Sequence, residues 1–233
     1  MNTDTLASDP RRTRHPALAD QAQGTLAVRV RRWFLVACPV LAGLFAIIGA
    51  AADPAPGLDG RELWELYAQH PERLQFKSLG FHWSYAFWIA PALLIVGYIR
   101  GRGAWLANIA GVLGFAGMTT LPGLLFLDWY DSAIGQLYGV EGNVAVAELM
   151  EGTMWGLRVF ATPGIVGLAL GLPLAAAAAW RAGLVPWWAP LTVVAGFMAF
   201  TMSGVMWWGC VITTVCFTAF SVALARGTSP NRA

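Results

Sequence analysis

The sequence predicts an all-α integral membrane bundle of six transmembrane helices, with short amphipathic helices in its outer loops. Three observations carry this reading. Hydrophobic residues make up 57% of the chain and charged residues 12%, whereas a soluble domain carries about a quarter charged residues. Six apolar stretches alternate with loops, each near the ~20 residues that a bilayer crossing needs. The charges sort by loop, with arginines gathered on one side and carboxylates on the other.

Residues 1–28 are polar, hold Pro10 and Pro16 and few large apolar side chains, and read as a disordered tail. The spans that follow are expected at Trp33–Ala52, Phe81–Ile99, Ala104–Leu127, Met154–Ala179, Val185–Met202 and Val205–Ala225, within a transmembrane domain of residues 29–227 and ahead of a short tail, 228–233. The last two spans form one apolar run, Leu184 to Ala225. As a single helix it would be about 60 Å long, twice the roughly 30 Å hydrocarbon core. It must fold back, and Ser203-Gly204 is the plausible turn, expected at the outer membrane surface where its backbone can find water.

Arg11, Arg12, Arg14, Arg29, Arg31 and Arg32 precede the first span, Arg100 and Arg102 follow the second, Arg181 follows the fourth, and Arg226 and Arg232 follow the sixth. The other side holds only Arg61, Arg73 and Lys77 in its loops, and ten of the thirteen acids, from Asp53 to Glu151. The positive-inside rule puts both termini in the cytoplasm of a plasma membrane. Tryptophans mark the same boundaries: Trp33, Trp105, Trp180, Trp187 and Trp188 at inner ends, and Trp83, Trp129, Trp155, Trp207 and Trp208 at outer ends. Ala50-Ala51-Ala52 before Asp53 has the form of a signal-peptide cleavage site, but the 32-residue leader and long apolar run fit an uncleaved anchor better.

The first outer loop, Asp53–Gly80, contains a short helix signal. Asp59 stands as N-cap with Glu62 at N3, Leu63, Leu66 and Tyr67 follow at helical spacing, and Pro71 ends the element. An amphipathic helix lying on the outer surface is expected. Glu65-Leu66-Tyr67-Ala68 and Gln136-Leu137-Tyr138-Gly139 are similar, as are Trp88-Ile89-Ala90-Pro91 and Phe160-Ala161-Thr162-Pro163; duplication of a loop-plus-hairpin unit and chance similarity explain these short matches equally well. Ala107, Gly111, Gly114 and Gly117 in span three, and Gly164, Gly167 and Gly171 in span four, are spaced for close helix contact. Cys38, Cys210 and Cys216 lie within spans without a pairing pattern and read as packing residues. One lysine against fourteen arginines, with much alanine and glycine, points to a GC-rich bacterial genome.

Arg100-Gly-Arg102-Gly before a glycine-rich span, Asp128-Trp-Tyr-Asp131 after it, and the run from Trp180 to Pro190 (WRAGLVPWWAP) are the remaining distinctive segments. Over about residues 80–200 the chain resembles small, functionally uncharacterised multi-span membrane proteins of actinobacteria. That resemblance implies a multi-span membrane fold and supplies no activity, substrate or catalytic residue.

The candidate ligand site lies at the outer ends of spans two to four. His82 opens span two, Asp128 and Asp131 close span three, and Glu148, Glu151 and Arg158 enter span four. Glu148, Glu151, Trp155, Arg158 and Thr162 would share one face of a continuous helix. Arg158, the one charge well inside a span, needs a partner, and Asp128 or Asp131 on a neighbouring helix is the expected one. The cluster would then be either an outward-facing polar pocket or a structural ion pair. Asn108 is expected to bond across helices. No metal site, catalytic group or cofactor is implied: ligand spacing is lacking, His82 alone cannot hold a haem, and nucleotide-binding and hydrolase motifs are missing. The lipid bilayer is the one certain partner of such a composition; nucleic acid has no support. Two function classes remain. One is a non-enzymatic accessory or sensor protein whose outer loops meet a membrane-protein partner. The other is a small transporter or channel with a polar pocket around Arg158.

Overall fold

A computed structural model of the chain describes residues 17–228. Eight helices follow one another: α1 (Ala17–Ala52), α2 (Gly60–Gln69), α3 (Pro71–Ile95), α4 (Ala104–Leu124), α5 (Phe126–Thr153), α6 (Trp155–Arg181), α7 (Ala189–Met202) and α8 (Trp207–Gly227). Among the described residues there is no strand. Four helical stretches are long and apolar enough to cross a membrane: Leu26–Ala52, Ala104–Thr153, Trp155–Arg181 and Trp207–Gly227. Ala189–Met202 is a shorter apolar helix. Arg11, Arg12, Arg14 and Arg232, and most of the two tails read from sequence, lie outside the described residues; α1 begins at Ala17, inside the segment expected to be disordered.

The chain divides into two compact units, Met1–Phe34 and Leu35–Ala233. In the first, the described residues form the start of α1, and the Arg32 guanidinium lies 5.9 Å over the Trp33 ring. The second holds the bundle. Leu35, Cys38, Ala42, Ala46 and Ala50 form a buried stripe at helical spacing along α1. Small residues bring backbones together there. A Cβ added to Gly80 of α3 would lie 2.6 Å from the Gly49 Cα, and Ser84 Oγ donates to the Ala42 carbonyl at 2.8 Å.

The glycine rows read from sequence do pack. Helices α4 and α6 make the most extensive helix pairing in the molecule. At their crossing a Cβ on Gly167 would meet the Gly117 Cα at 2.6 Å, and one on Gly164 would meet Thr120 Oγ1 at 2.5 Å. Only hydrogen side chains allow that approach. Trp88 of α3 centres the aromatic core: fully buried, it stands edge-on to Phe217 at 4.5 Å and to Phe200 at 5.2 Å. The last apolar run breaks at the expected place. Helix α7 stops at Met202, Gly204 and Val205 both take φ of 63°, and α8 starts at Trp207. The matched tyrosines of the possible repeat differ in environment, Tyr67 being buried and Tyr138 exposed, which speaks against structural equivalence.

Candidate functional site: a closed polar cluster where α2, α3 and α5 meet

Polar residues concentrate at the end of the bundle that carries α2 and α5. Helix α3 begins at Pro71, ten residues before the expected Phe81, because Lys77 and Ser78 are buried there and not displayed in a loop. Lys77 Nζ donates to Asp128 Oδ2 at 2.6 Å and to Tyr67 Oη at 2.7 Å, and lies 4.9 Å from the Tyr67 ring centre. Ser78 Oγ donates to the same Asp128 oxygen at 2.9 Å. One ammonium thus joins three helices, and every partner it touches is an acceptor or a π-face. Burial and the adjacent Asp128 carboxylate push the Tyr67 phenol well above its ordinary value, so it stays neutral beside the ion pair.

Helix α2 forms where the capping pattern placed it. Asp59 is its N-cap with extended backbone, although its side chain makes no cap bond. Its apolar face is turned to protein: Tyr67 packs with Ala55 and Leu74, flanked by Leu63, Leu66 and Trp129. The expectation that this face rests on a membrane surface is therefore corrected. Ser132 Oγ of α5 donates to the Tyr67 carbonyl at 2.7 Å, and Gln136 Nε2 donates to Ser132 Oγ at 3.0 Å.

Helix α5 is itself folded. Gly139 has φ 69° and ψ −179°, a conformation that only glycine adopts freely, and the two arms of α5 meet there. Asn143 Nδ2 donates to the Asp131 carbonyl at 2.9 Å across 12 residues, which a straight helix would hold about 18 Å apart. Trp64 and Asn143 also face the Asp131 carboxylate with their side-chain donors. Arg61 closes the far arm with a two-point pair to Glu141, at 2.6 and 3.0 Å, on the exposed surface.

The six residues read as one site are not one cluster. Asp128 is engaged by Lys77 and Ser78, Asp131 faces Trp64 and Asn143, and His82 stands apart with Nδ1 3.4 Å from the Pro122 carbonyl. That carbonyl can only accept, so the contact links α3 to the end of α4 in the tautomer that carries its proton on Nδ1. Glu148, Glu151 and Arg158 are exposed. The helical face expected to unite them is interrupted at Met154, where φ is −105° and ψ 60°. Arg158 forms no ion pair with any described residue, so the pairing expected with Asp128 or Asp131 is overturned: Lys77 holds Asp128 instead. Asn108, expected between helices, is exposed.

A cavity of about 220 Å³ borders the cluster, walled by Ser78, His82, Trp83, Pro122, Phe126 and Trp129 among others. The buried Trp129 Nε1 has no acceptor among the described residues. Lys77 was the residue the sequence reading passed over. Its signal was its singularity, the one lysine of the chain, set just before a span.

No protein-family model, curated protein or solved structure matches the chain. The function is accordingly read from the chemistry of these residues.

Proposed function

We propose that the chain is a six-span plasma-membrane protein with cytoplasmic termini, whose outer α2–α5 layer is a non-enzymatic recognition platform for a membrane-protein partner. The four long apolar helices are joined, in this reading, by α3 and α7 as further spans. Helix α3 is 25 residues long, about 37 Å at helical rise, and α7 is lengthened by the Val185–Trp188 turn before it.

One observation carries the reading. The buried charges at this end are consumed internally, by the Lys77–Asp128–Tyr67–Ser78 cluster, while α5 turns Tyr130, Leu137, Tyr138 and Leu149 outward. A reacting centre needs a nucleophile, an acid or base or a polarising group free to meet substrate; a recognition surface needs a rigid support with exposed aromatic and aliphatic anchors. The alternative, a small transporter or channel with a pocket around Arg158, has less support. Arg158 is exposed, and of the hydroxyls deeper in the bundle Ser84 is spent on the Ala42 carbonyl and Thr213 on that of Gly196.

Two measurements test the proposal. Single cysteines at Tyr138 and at Arg102 are labelled with an impermeant thiol reagent on intact cells; Tyr138→Cys labels and Arg102→Cys does not, and the reverse pattern removes the topology. A photo-reactive residue at Tyr138 then yields one discrete protein adduct that Leu137→Asp abolishes. Adducts to lipid alone would remove the partner.

A further inference from the structure

We propose that the cavity formed by Arg100, Arg102 and Arg181 at the opposite end of the bundle binds the phosphate of an anionic phospholipid.

The cavity has a volume of about 440 Å³ and is lined by Arg100, Arg102, Trp180, Arg181, Ala182 and Gly183. The α3–α4 connection supplies Arg100 and Arg102, the last turn of α6 supplies Arg181, and local backbone geometry brings the two segments together. Gly103 takes φ 91°, and a Cβ there would strike the Ala178 carbonyl oxygen at 2.6 Å and meet the Arg181 Cβ at 3.2 Å. The α3–α4 turn is therefore pressed against the last turn of α6. That last turn is closed by its own backbone: the Gly183 N–H donates to Trp180 and the Leu184 N–H to Ala179, both at 2.9 Å, with Gly183 at φ 77°. With those carbonyls satisfied, the negative end of α6 is muted where an anion would enter.

None of the three guanidiniums forms an ion pair with a described residue. Three like charges around one cavity repel one another, and a multivalent oxyanion is the species that reverses the sign of that interaction. Guanidinium forks match phosphate oxygens two at a time. A topology signal needs arginines near helix ends; it does not need them to share a cavity with a tryptophan.

The neighbouring cavity decides for a lipid over free phosphate. It is about 470 Å³, shares Gly183 with the first, and is lined by Leu184, Val185, Pro186, Trp188, Ala223 and Arg226. Gly227 of α8 abuts the Leu184 carbonyl and so fixes this wall. The wall mixes polar groups with the apolar residues Val185, Pro186, Trp188 and Ala223, a surface that the glycerol and upper acyl carbons of a phospholipid can use and a soluble phosphate would leave bare. Basic pockets at helix ends on the cytoplasmic side are where anionic headgroups are held.

The inference rests on the chain being a membrane protein with its arginine end in the cytoplasm. Its test is run on the full-length protein in detergent, where orientation plays no part, so the labelling experiment and this one fail separately. Phosphatidylglycerol and phosphatidylcholine of equal chain length are titrated, and bound lipid is counted by native mass spectrometry alongside thermal stability. The expected result is a preference of at least about tenfold for phosphatidylglycerol. Arg100→Gln, Arg102→Gln and Arg181→Gln each reduce it, and the triple variant loses it. Arg181→Lys keeps part of it, and Arg61→Gln at the far end keeps all of it. Should the triple variant fail to fold, the three single variants carry the test. Unchanged preference in the singles, or in a folded triple variant, overturns the site. Stabilisation by millimolar inorganic phosphate equal to that by phosphatidylglycerol overturns the lipid and leaves a soluble phosphate as ligand.

Discussion

Lys77 Nζ and Asp128 Oδ2 lie 2.6 Å apart, on side chains only 11% and 18% exposed, and join α3 to α5 across 51 residues of sequence. Such a pair is asymmetric in its energetics. Removing one partner strands a buried charge, whereas removing both leaves apolar surface that can pack. Lys77→Met or Asp128→Leu alone is expected to destabilise the protein by about 3 kcal/mol, and the double variant by clearly less than the sum. Thermal denaturation in detergent reads this. Additive losses would show that the two charges do not depend on one another.

Arg158 gives the opposite expectation. It is exposed and forms no ion pair among the described residues. Arg158→Leu should leave the unfolding free energy within about 0.5 kcal/mol of wild type, as for an ordinary surface position. A loss comparable to that of Lys77→Met would restore it to the polar cluster.

At the Gly117–Gly167 crossing a Cβ on Gly167 would lie 2.6 Å from the Gly117 Cα and the Leu113 carbonyl oxygen, leaving no room for a side chain on Gly167. Gly167→Leu should cost about 1–3 kcal/mol or more by overpacking, and should part α4 from α6 before it disturbs α2. Cysteine pairs engineered across the two interfaces would report which one opens first.

At Gly139 the strain is local. A Cβ there meets nothing within 4 Å, so Gly139→Ala tests the backbone alone. Its φ of 69° with ψ near 180° should cost about 1–3 kcal/mol. Hydrogen exchange should quicken in α5, while the core around Trp88 stays protected. Equal protection throughout α5 would mean that the fold of this element does not depend on glycine.

Apolar periodicity located most of the helices, because length and hydropathy are one-dimensional quantities. The break at Ser203-Gly204 was legible for the same reason: a run too long for the bilayer has to turn, and glycine permits the left-handed backbone found there. The polar cluster was not legible. Lys77 and Ser78 read as loop residues and Tyr67 as part of a surface helix, since a buried charge satisfied by a partner about fifty residues away looks the same in sequence as an exposed one. The Glu148–Thr162 face failed for a different reason. Helical spacing carries through Met154 on paper, but the backbone there leaves the helix, and dihedral angles have no signature in a hydropathy pattern. The fold of α5 at Gly139 was hidden likewise, because Gln136–Gly139 carries no proline and its one glycine resembled those of the spans.

Helices α4 and α6 share the most extensive seam of the bundle, yet α5 lies between them in the chain. During synthesis Gly111 and Gly114 of α4 can pack at once on Val96 and Ala92, whereas Gly117 cannot close on Gly167 until α5 and the first half of α6 have been made. Assembly is a clasp closed late over a completed hairpin, and a chain stalled before Gly164 would display Gly117 to the quality-control machinery as an unzipped edge.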